Sequence, residues 1–388
     1  MKRILCIISL ITFYTQAQTI KTGVATYFDD LGKPFGGCGV PESIVETSNY
    51  VALNVFNTPG NGTQYVRPIK GSDLKYMGEF QNGRNCGRWV RVKILENCIS
   101  GQNDGALGLA FCRNGGKWMQ DKFYGAELEM IVTDACGDGN GWCRDSPYHL
   151  DLHTTSLSEF ELNGQKTTGM YPTYFNNRKI EWEYIEAPNY TGDIKIHVME
   201  AAQRYYMPIL ITNLPNGIHK VEQKVNGKWV NVPMNSDLGQ SYVLPNNDAP
   251  YTIRVTDADD NLLNEGREYK FGFPSSCGTK CLPPTTEVSY TFIDPISLSI
   301  SDSDIFGKWS LSVNTKDGNA NAILGDIPKD NLQLKVIDIV GKEIGKINIA
   351  SENTESAVSI GHYQKGFYKL LVYRNERLLA NVSFWVAE

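Results

Sequence analysis

The sequence predicts an all-β protein: a cysteine-bridged barrel followed by two β-sandwiches. Three observations carry that prediction. Short runs of β-branched and aromatic residues alternate with polar ones along most of the 388 residues. Turn formers separate these runs, with 36 Gly and 17 Pro in the chain. Aromatic residues are abundant, at 20 Tyr, 15 Phe and 7 Trp, which suits strands and exposed binding surfaces better than helical bundles.

The elements follow in order. Lys2 and Arg3 precede an apolar run from Ile4 to Phe13, too short to cross a bilayer, which reads as an export signal over residues 1–17. Thr15-Gln16-Ala17 supplies small residues at the cleavage position and makes Gln18 the mature start. Residues 18–178 hold six cysteines and most of the glycine-rich turns. Their strand signals are Val24-Ala25-Thr26-Tyr27-Phe28, Trp89-Val90-Arg91-Val92-Lys93-Ile94 and Glu127-Leu128-Glu129-Met130-Ile131-Val132. One short helix is expected from Ser156 to Leu162. Residues 179–273 lack cysteine and alternate with period two. Ile180, Trp182 and Tyr184 share one face, as do Ile194, Ile196 and Val198. Asn226-Gly227 between two such runs predicts a tight hairpin. Residues 274–294, rich in Pro, Ser and Thr, read as a linker with a small Cys277/Cys281 loop. Residues 295–388 carry strand signals at Leu332 to Val340, Ile344 to Ile349, Gly366 to Tyr373 and Leu378 to Val386, a second sandwich.

Composition bounds the function. Lys+Arg 37 against Asp+Glu 43 gives a net charge of -6, and loss of Lys2 and Arg3 makes the mature chain more acidic still. Nucleic acid and anionic membranes require a basic face, so neither is an expected partner, whereas a neutral polysaccharide is compatible. No later apolar run is long enough for a membrane anchor. Of nine Cys, Cys6 leaves with the signal. The even number left in an exported chain predicts disulfides, with pairing open among the first six. No CxxC pair is present, so no metal and no other cofactor is expected.

Candidate chemistry gathers in three segments. In His149-Leu150-Asp151-Leu152-His153, strand alternation turns Leu150 and Leu152 to the core and holds Asp151 on the other face between two imidazoles. Thr133-Asp134 ends the run Met130-Ile131-Val132 and places a second carboxylate at a strand end. Thr26-Tyr27-Phe28-Asp29-Asp30 adds a hydroxyl, a phenol and two more acids. Carboxylates and hydroxyls around a groove suit sugar recognition, and two suitably spaced carboxylates can also cleave a glycosidic bond.

Gly23-Val24-Ala25-Thr26-Tyr27-Phe28, Gly36-Gly37-Cys38-Gly39, Thr133-Asp134-Ala135-Cys136 and His149-Leu150-Asp151-Leu152 resemble the ordered motifs of expansins. Gln203-Arg204-Tyr205-Tyr206 and Asn226-Gly227-Lys228-Trp229-Val230-Asn231 resemble motifs of their second domain, so the likeness covers about residues 23 to 257. The resemblance implies a six-stranded double-psi β-barrel followed by an immunoglobulin-like β-sandwich that binds carbohydrate. It implies that Thr26, Asp134 and Asp151 line a groove, with Asp151 matching the acid needed for wall loosening. It further implies that Tyr205 and Tyr206, with Tyr242 as a third ring, form a flat platform for cellulose or another cell-wall polysaccharide. Adjacent tyrosines share one face only where the backbone leaves regular strand geometry. The tyrosine that bacterial members place near the groove aspartate has no counterpart here, because Cys136 stands in its position.

The expected protein is therefore a secreted monomer that loosens a polysaccharide network without hydrolysis. The alternative is a weak endo-β-1,4-glucanase with Asp151 as acid and Asp29 as base, since Asp29 lies near the base position of endoglucanases sharing the barrel. Inverting hydrolysis requires carboxyls roughly 6.5–9.5 Å apart. Leu334 to Glu343 and Gly366 to Val372 resemble the C-terminal sorting domain of the type IX secretion route, which implies passage through an outer membrane.

Overall fold

The computed structural model describes residues 19–293, apart from 138, 140, 172–177, 189, 246–248 and 283. Beyond these it describes 311–316, 318–324, 332–338, 342–349, 357–374 and 377–386. The expected export signal lies outside the described residues. The chain divides into two compact units, residues 1–295 and 296–388.

The first unit opens with a closed barrel. Its strands are β1 (Lys21–Phe28), β2 (Tyr50–Asn54), β3 (Trp89–Ile94), β4 (Glu127–Cys136), β5 (Leu150–His153) and β6 (Arg178–Ile185). They run in the order β4-β2-β5-β1-β6-β3, and β3 pairs back onto β4, so the sheet closes without an edge. Pairs β1–β5 and β2–β4 are parallel and the others antiparallel, the interleaving expected of a double-psi barrel. Period-two alternation fills the interior with Ala25, Val51, Leu53, Val90, Val92, Met130, Val132, Leu150, Leu152, Ile180 and Trp182, all buried in one cluster.

Two sequence expectations are corrected here. The strand with Ile180, Trp182 and Tyr184 is β6, which closes the barrel between β1 and β3 rather than opening the sandwich. The expected helix is a 3-10 turn over Thr154–Ser158, because Glu161 pairs with Glu127 and pulls the chain back into extended geometry.

Three disulfides brace the loops of this domain: Cys38–Cys86, Cys98–Cys112 and Cys136–Cys143.

A β-sandwich follows. One sheet runs β11-β8-β7-β14 and the other β10-β9-β12-β13-β15. The strands are β7 (Lys195–Met199), β8 (Pro208–Thr212), β9 (Lys220–Val225), β10 (Lys228–Val232), β11 (Ser241–Val243), β12 (Tyr251–Thr256), β13 (Glu268–Phe271), β14 (Thr285–Glu287) and β15 (Tyr290–Ile293). Asn226 and Gly227 turn the β9–β10 hairpin with φ of 50° and 76°, the left-handed pair a tight hairpin requires. The stretch expected as a linker is instead part of this sandwich. β14 pairs with β7, β15 pairs with β13, and Cys277 and Cys281 are bonded and buried in the core.

The barrel and this sandwich share a packed boundary. Met199 and Leu210 join the barrel cluster. The Gln240 amide donates to the Cys38 carbonyl at 3.1 Å, and Arg67 pairs with Asp237 at 2.7 Å.

The second unit holds sheets β16-β17-β20 and β19-β18-β21-β22. Its strands are β16 (Leu311–Lys316), β17 (Asn319–Leu324), β18 (Leu332–Asp338), β19 (Glu343–Ile349), β20 (Ala357–His362), β21 (Gly366–Arg374) and β22 (Arg377–Val386). Leu332, Leu334, Val336, Leu370 and Val372 fill a core of their own.

Candidate functional site

The barrel register aligns the groove residues. Asp134 on β4 lies opposite Ala52 on β2, Ala52 opposite Asp151 on β5, and Asp151 opposite Thr26 on β1. One rung therefore crosses four neighbouring strands on the outer face of the barrel. At the usual strand spacing, the Asp134 and Asp151 backbones are about 9.5 Å apart. Ala52 between them contributes only a methyl group, which is buried with Cys136 and Cys143 and packed by Phe28.

Asp151 sits in a hydrogen-bonded triad. Leu150 and Leu152 point into the core, as the alternation predicts, which turns Asp151 outward with its side chain 17% exposed. The Thr26 hydroxyl donates to Asp151 Oδ1. His149 Nε2 lies 3.0 Å from Thr26 Oγ1 and 3.1 Å from the same Asp151 oxygen. His149 is fully buried, and its Nδ1 has no hydrogen-bond partner among the described residues. The imidazole thus acts as a positioning group beneath the carboxylate and the hydroxyl. Sequence reading placed it beside Asp151 but gave it no role.

Asp134 reaches the outer face through a bulge. Met130 and Val132 point inward, so strict alternation would bury residue 134 as well. Val51 pairs with Val132 but Ala52 pairs with Asp134, so Thr133 is the extra residue and the parity flips. Asp134 Oδ1 then accepts the amides of Gly37, at 2.6 Å, and Ala135, at 2.8 Å. A Cβ on Gly37 would lie 2.6 Å from Ala135 Cβ, so only glycine lets that amide approach. Burial raises the Asp134 pKa above the ordinary carboxylate value, and the charge of Asp151 adds to the rise. The two amides and Arg67 oppose it without cancelling it.

Asp29 does not join the cluster. It lies past the end of β1, three residues or about 10 Å of extended chain beyond Thr26, and it accepts the Thr154 hydroxyl at 2.8 Å.

Tyr205 and Tyr206 are 72% and 41% exposed. They sit in a tight turn closed by Gln203 and Tyr206, whose backbones exchange hydrogen bonds of 2.8 and 3.0 Å. The turn supplies the irregular backbone that lets adjacent rings both reach solvent. Buried Ala202 and Met207 flank it, and Cys281 exchanges backbone bonds with Ala201 and Ala202. The small disulfide loop therefore clamps the base of the tyrosine turn. Tyr242 is corrected: on β11 it pairs with Ile209 and is buried in the sandwich core, where it cannot touch a polymer. Trp229 is half-buried beneath Arg254, 4.5 Å from its ring.

A cavity of about 670 Å³ lies elsewhere, lined by Trp89, Arg91, Glu129 and Glu161. Thr26, Asp134 and Asp151 do not line it.

No protein-family model matches the chain, and no curated protein matches its sequence. Among solved structures, the chain is similar to an expansin of Clavibacter michiganensis, at 18% identity and TM-score 0.40, covering 70% of this chain and 96% of the other. A substituted form of that expansin, in complex with cellohexaose, matches with the same values. A two-domain fibronectin type III segment of chicken tenascin aligns at 10% identity and TM-score 0.17, over 50% of this chain and all of that one.

Proposed function

We propose that this is a secreted, expansin-like protein that binds cellulose or a related cell-wall glucan and loosens the network without cleaving it. The observation that carries the reading is the outward rung Asp134–Ala52–Asp151–Thr26, backed by His149. A glucan offers hydroxyls along its edges. A carboxylate accepts them strongly, because charged hydrogen bonds exceed neutral ones. The flat apolar face of each pyranose stacks on exposed rings, for which Tyr205 and Tyr206 are the candidates. One domain anchors while the barrel groove competes for the hydroxyls of a neighbouring chain, and the polymers slip.

The geometry favours gripping over hydrolysis. Asp29 is tied to Thr154, and one oxygen of Asp134 is committed to two amides. A second reading, hydrolysis with Asp134 in place of Asp29 as the base, rests on the two carboxylates sharing one outward rung on strands two apart. Cell-wall creep, cellulose pull-down and release of reducing ends from amorphous glucan separate the two. The proposal expects creep and binding in wild type, no reducing ends, and an Asp151→Ala variant that binds but does not creep. Reducing ends that vanish in Asp151→Ala would establish hydrolysis instead. The four disulfides suit an oxidising compartment. The second unit is proposed as the sorting module, and intact mass of the exported protein shows whether its roughly 90 residues are removed.

A further inference from the structure

A second cluster lies at the end of the same parallel strand pair. His153 ends β5 opposite Phe28, Asp30 follows two residues past β1, and Glu42 opens the short turn Glu42–Ile44. One ligand atom from each of Asp30, Glu42 and His153 lies within 4.8 Å of the other two. The imidazole is 6% exposed, and its Nδ1 is 2.7 Å from the Ser48 carbonyl oxygen. A carbonyl only accepts, so Nδ1 carries a hydrogen, and in the neutral imidazole Nε2 is the nitrogen that offers a lone pair. Nε2 has no hydrogen-bond partner among the described residues. The Tyr50 ring stacks on the imidazole, centroids 4.0 Å apart and planes 9° apart, and the Tyr50 hydroxyl donates to Glu42 Oε1 at 2.8 Å.

This is how proteins prepare a metal-binding histidine: one nitrogen donates to a carbonyl, which fixes the tautomer and aims the other. A neutral imidazole with two carboxylates balances one divalent cation. The nitrogen ligand and the small number of oxygens argue against calcium and magnesium, which take six or more ligands, mostly oxygens. Three protein ligands with one position open fit zinc, bound at about 2.0–2.2 Å. We propose that Asp30, Glu42 and His153 bind a zinc-type divalent cation, which ties the end of β1 and the turn at Glu42 to the strand that carries Asp151. The site lies at the end of the strand pair that carries Thr26 and Asp151, uses none of the groove residues, and does not depend on the proposed function.

The test uses the oxidised, full-length exported protein, stripped with chelator, so that no free thiol competes. Calorimetric titration with zinc should give a saturable site of one ion per chain, with a matching rise in melting temperature. Asp30→Asn with Glu42→Gln, both exposed, should weaken that site at least about tenfold. Tyr50→Phe keeps the ring and removes only the hydroxyl that orients Glu42, and should weaken it by roughly tenfold. Calcium should neither bind there nor displace zinc. Zinc affinity and stoichiometry unchanged in the double variant, no binding by wild type, or displacement by calcium would each overturn the assignment.

Discussion

Replacing Tyr205 and Tyr206 together by alanine tests the platform with a magnitude fixed by exposure. An aromatic side chain offers about 200 Å² of surface. At 72% and 41% exposure, the two rings present about 145 and 80 Å² to solvent. A glucan lying on one face covers about half of this, roughly 110 Å². At about 25 cal/mol per Å², that burial contributes ~2.8 kcal/mol, close to a hundredfold in Kd. Ordering and desolvation offset part of it, so the expected weakening lies between about tenfold and a hundredfold. Both rings are exposed, so stability should change by no more than about 0.5 kcal/mol. The assay is a depletion isotherm on microcrystalline cellulose, with a melting curve to confirm folding. Tyr242→Ala is the contrast: it should cost about 3–5 kcal/mol of stability while the folded fraction still binds. A double variant that binds within about twofold of wild type would refute the stacking argument.

Three further outcomes follow from single contacts. The buried Tyr242 hydroxyl has no partner among the described residues, so Tyr242→Phe should be neutral or stabilising by about 1 kcal/mol in urea denaturation. Gly37→Ala drives a Cβ to within 2.8 Å of the Ala135 nitrogen and should destabilise the barrel by about 1–3 kcal/mol while abolishing creep. Because the folded Asp134 pKa is raised, its contribution to stability is greatest below about pH 4 and declines as pH rises through the folded value. Asp134→Asn should remove that decline, so its stability relative to wild type should increase from about pH 4 to pH 7, and a constant difference would contradict the burial argument.

Local alternation made much of this molecule legible. Leu150 and Leu152 face the core and Asp151 faces outward, as a period of two demands. The Asn226-Gly227 hairpin needed no tertiary information. What escaped was non-local. The alternation of Ile180, Trp182 and Tyr184 marked a strand, but its partners lie about ninety to a hundred and sixty residues upstream, at β3 and β1. Asp134 faces outward only because of the bulge at Thr133, which leaves no periodic trace. Ala52 gave no signal, since a small residue in a buried strand reads as filler. Tyr242, expected as the third platform ring, is turned inward by its pairing with Ile209 on β8. Residues 274–294 read as a linker because Pro, Ser and Thr mask the short strands β14 and β15.

The rung itself can be probed by titrating isotopically labelled protein with cellohexaose and following amide resonances. Gly37 and Ala135 donate their amides to Asp134, and Thr26 contacts Asp151, so all three report on the two carboxylates. The account predicts saturable shifts centred on Thr26, Gly37, Ala135 and Asp151. Shifts confined to the cavity around Trp89 and Glu129, with those four unmoved, would contradict it.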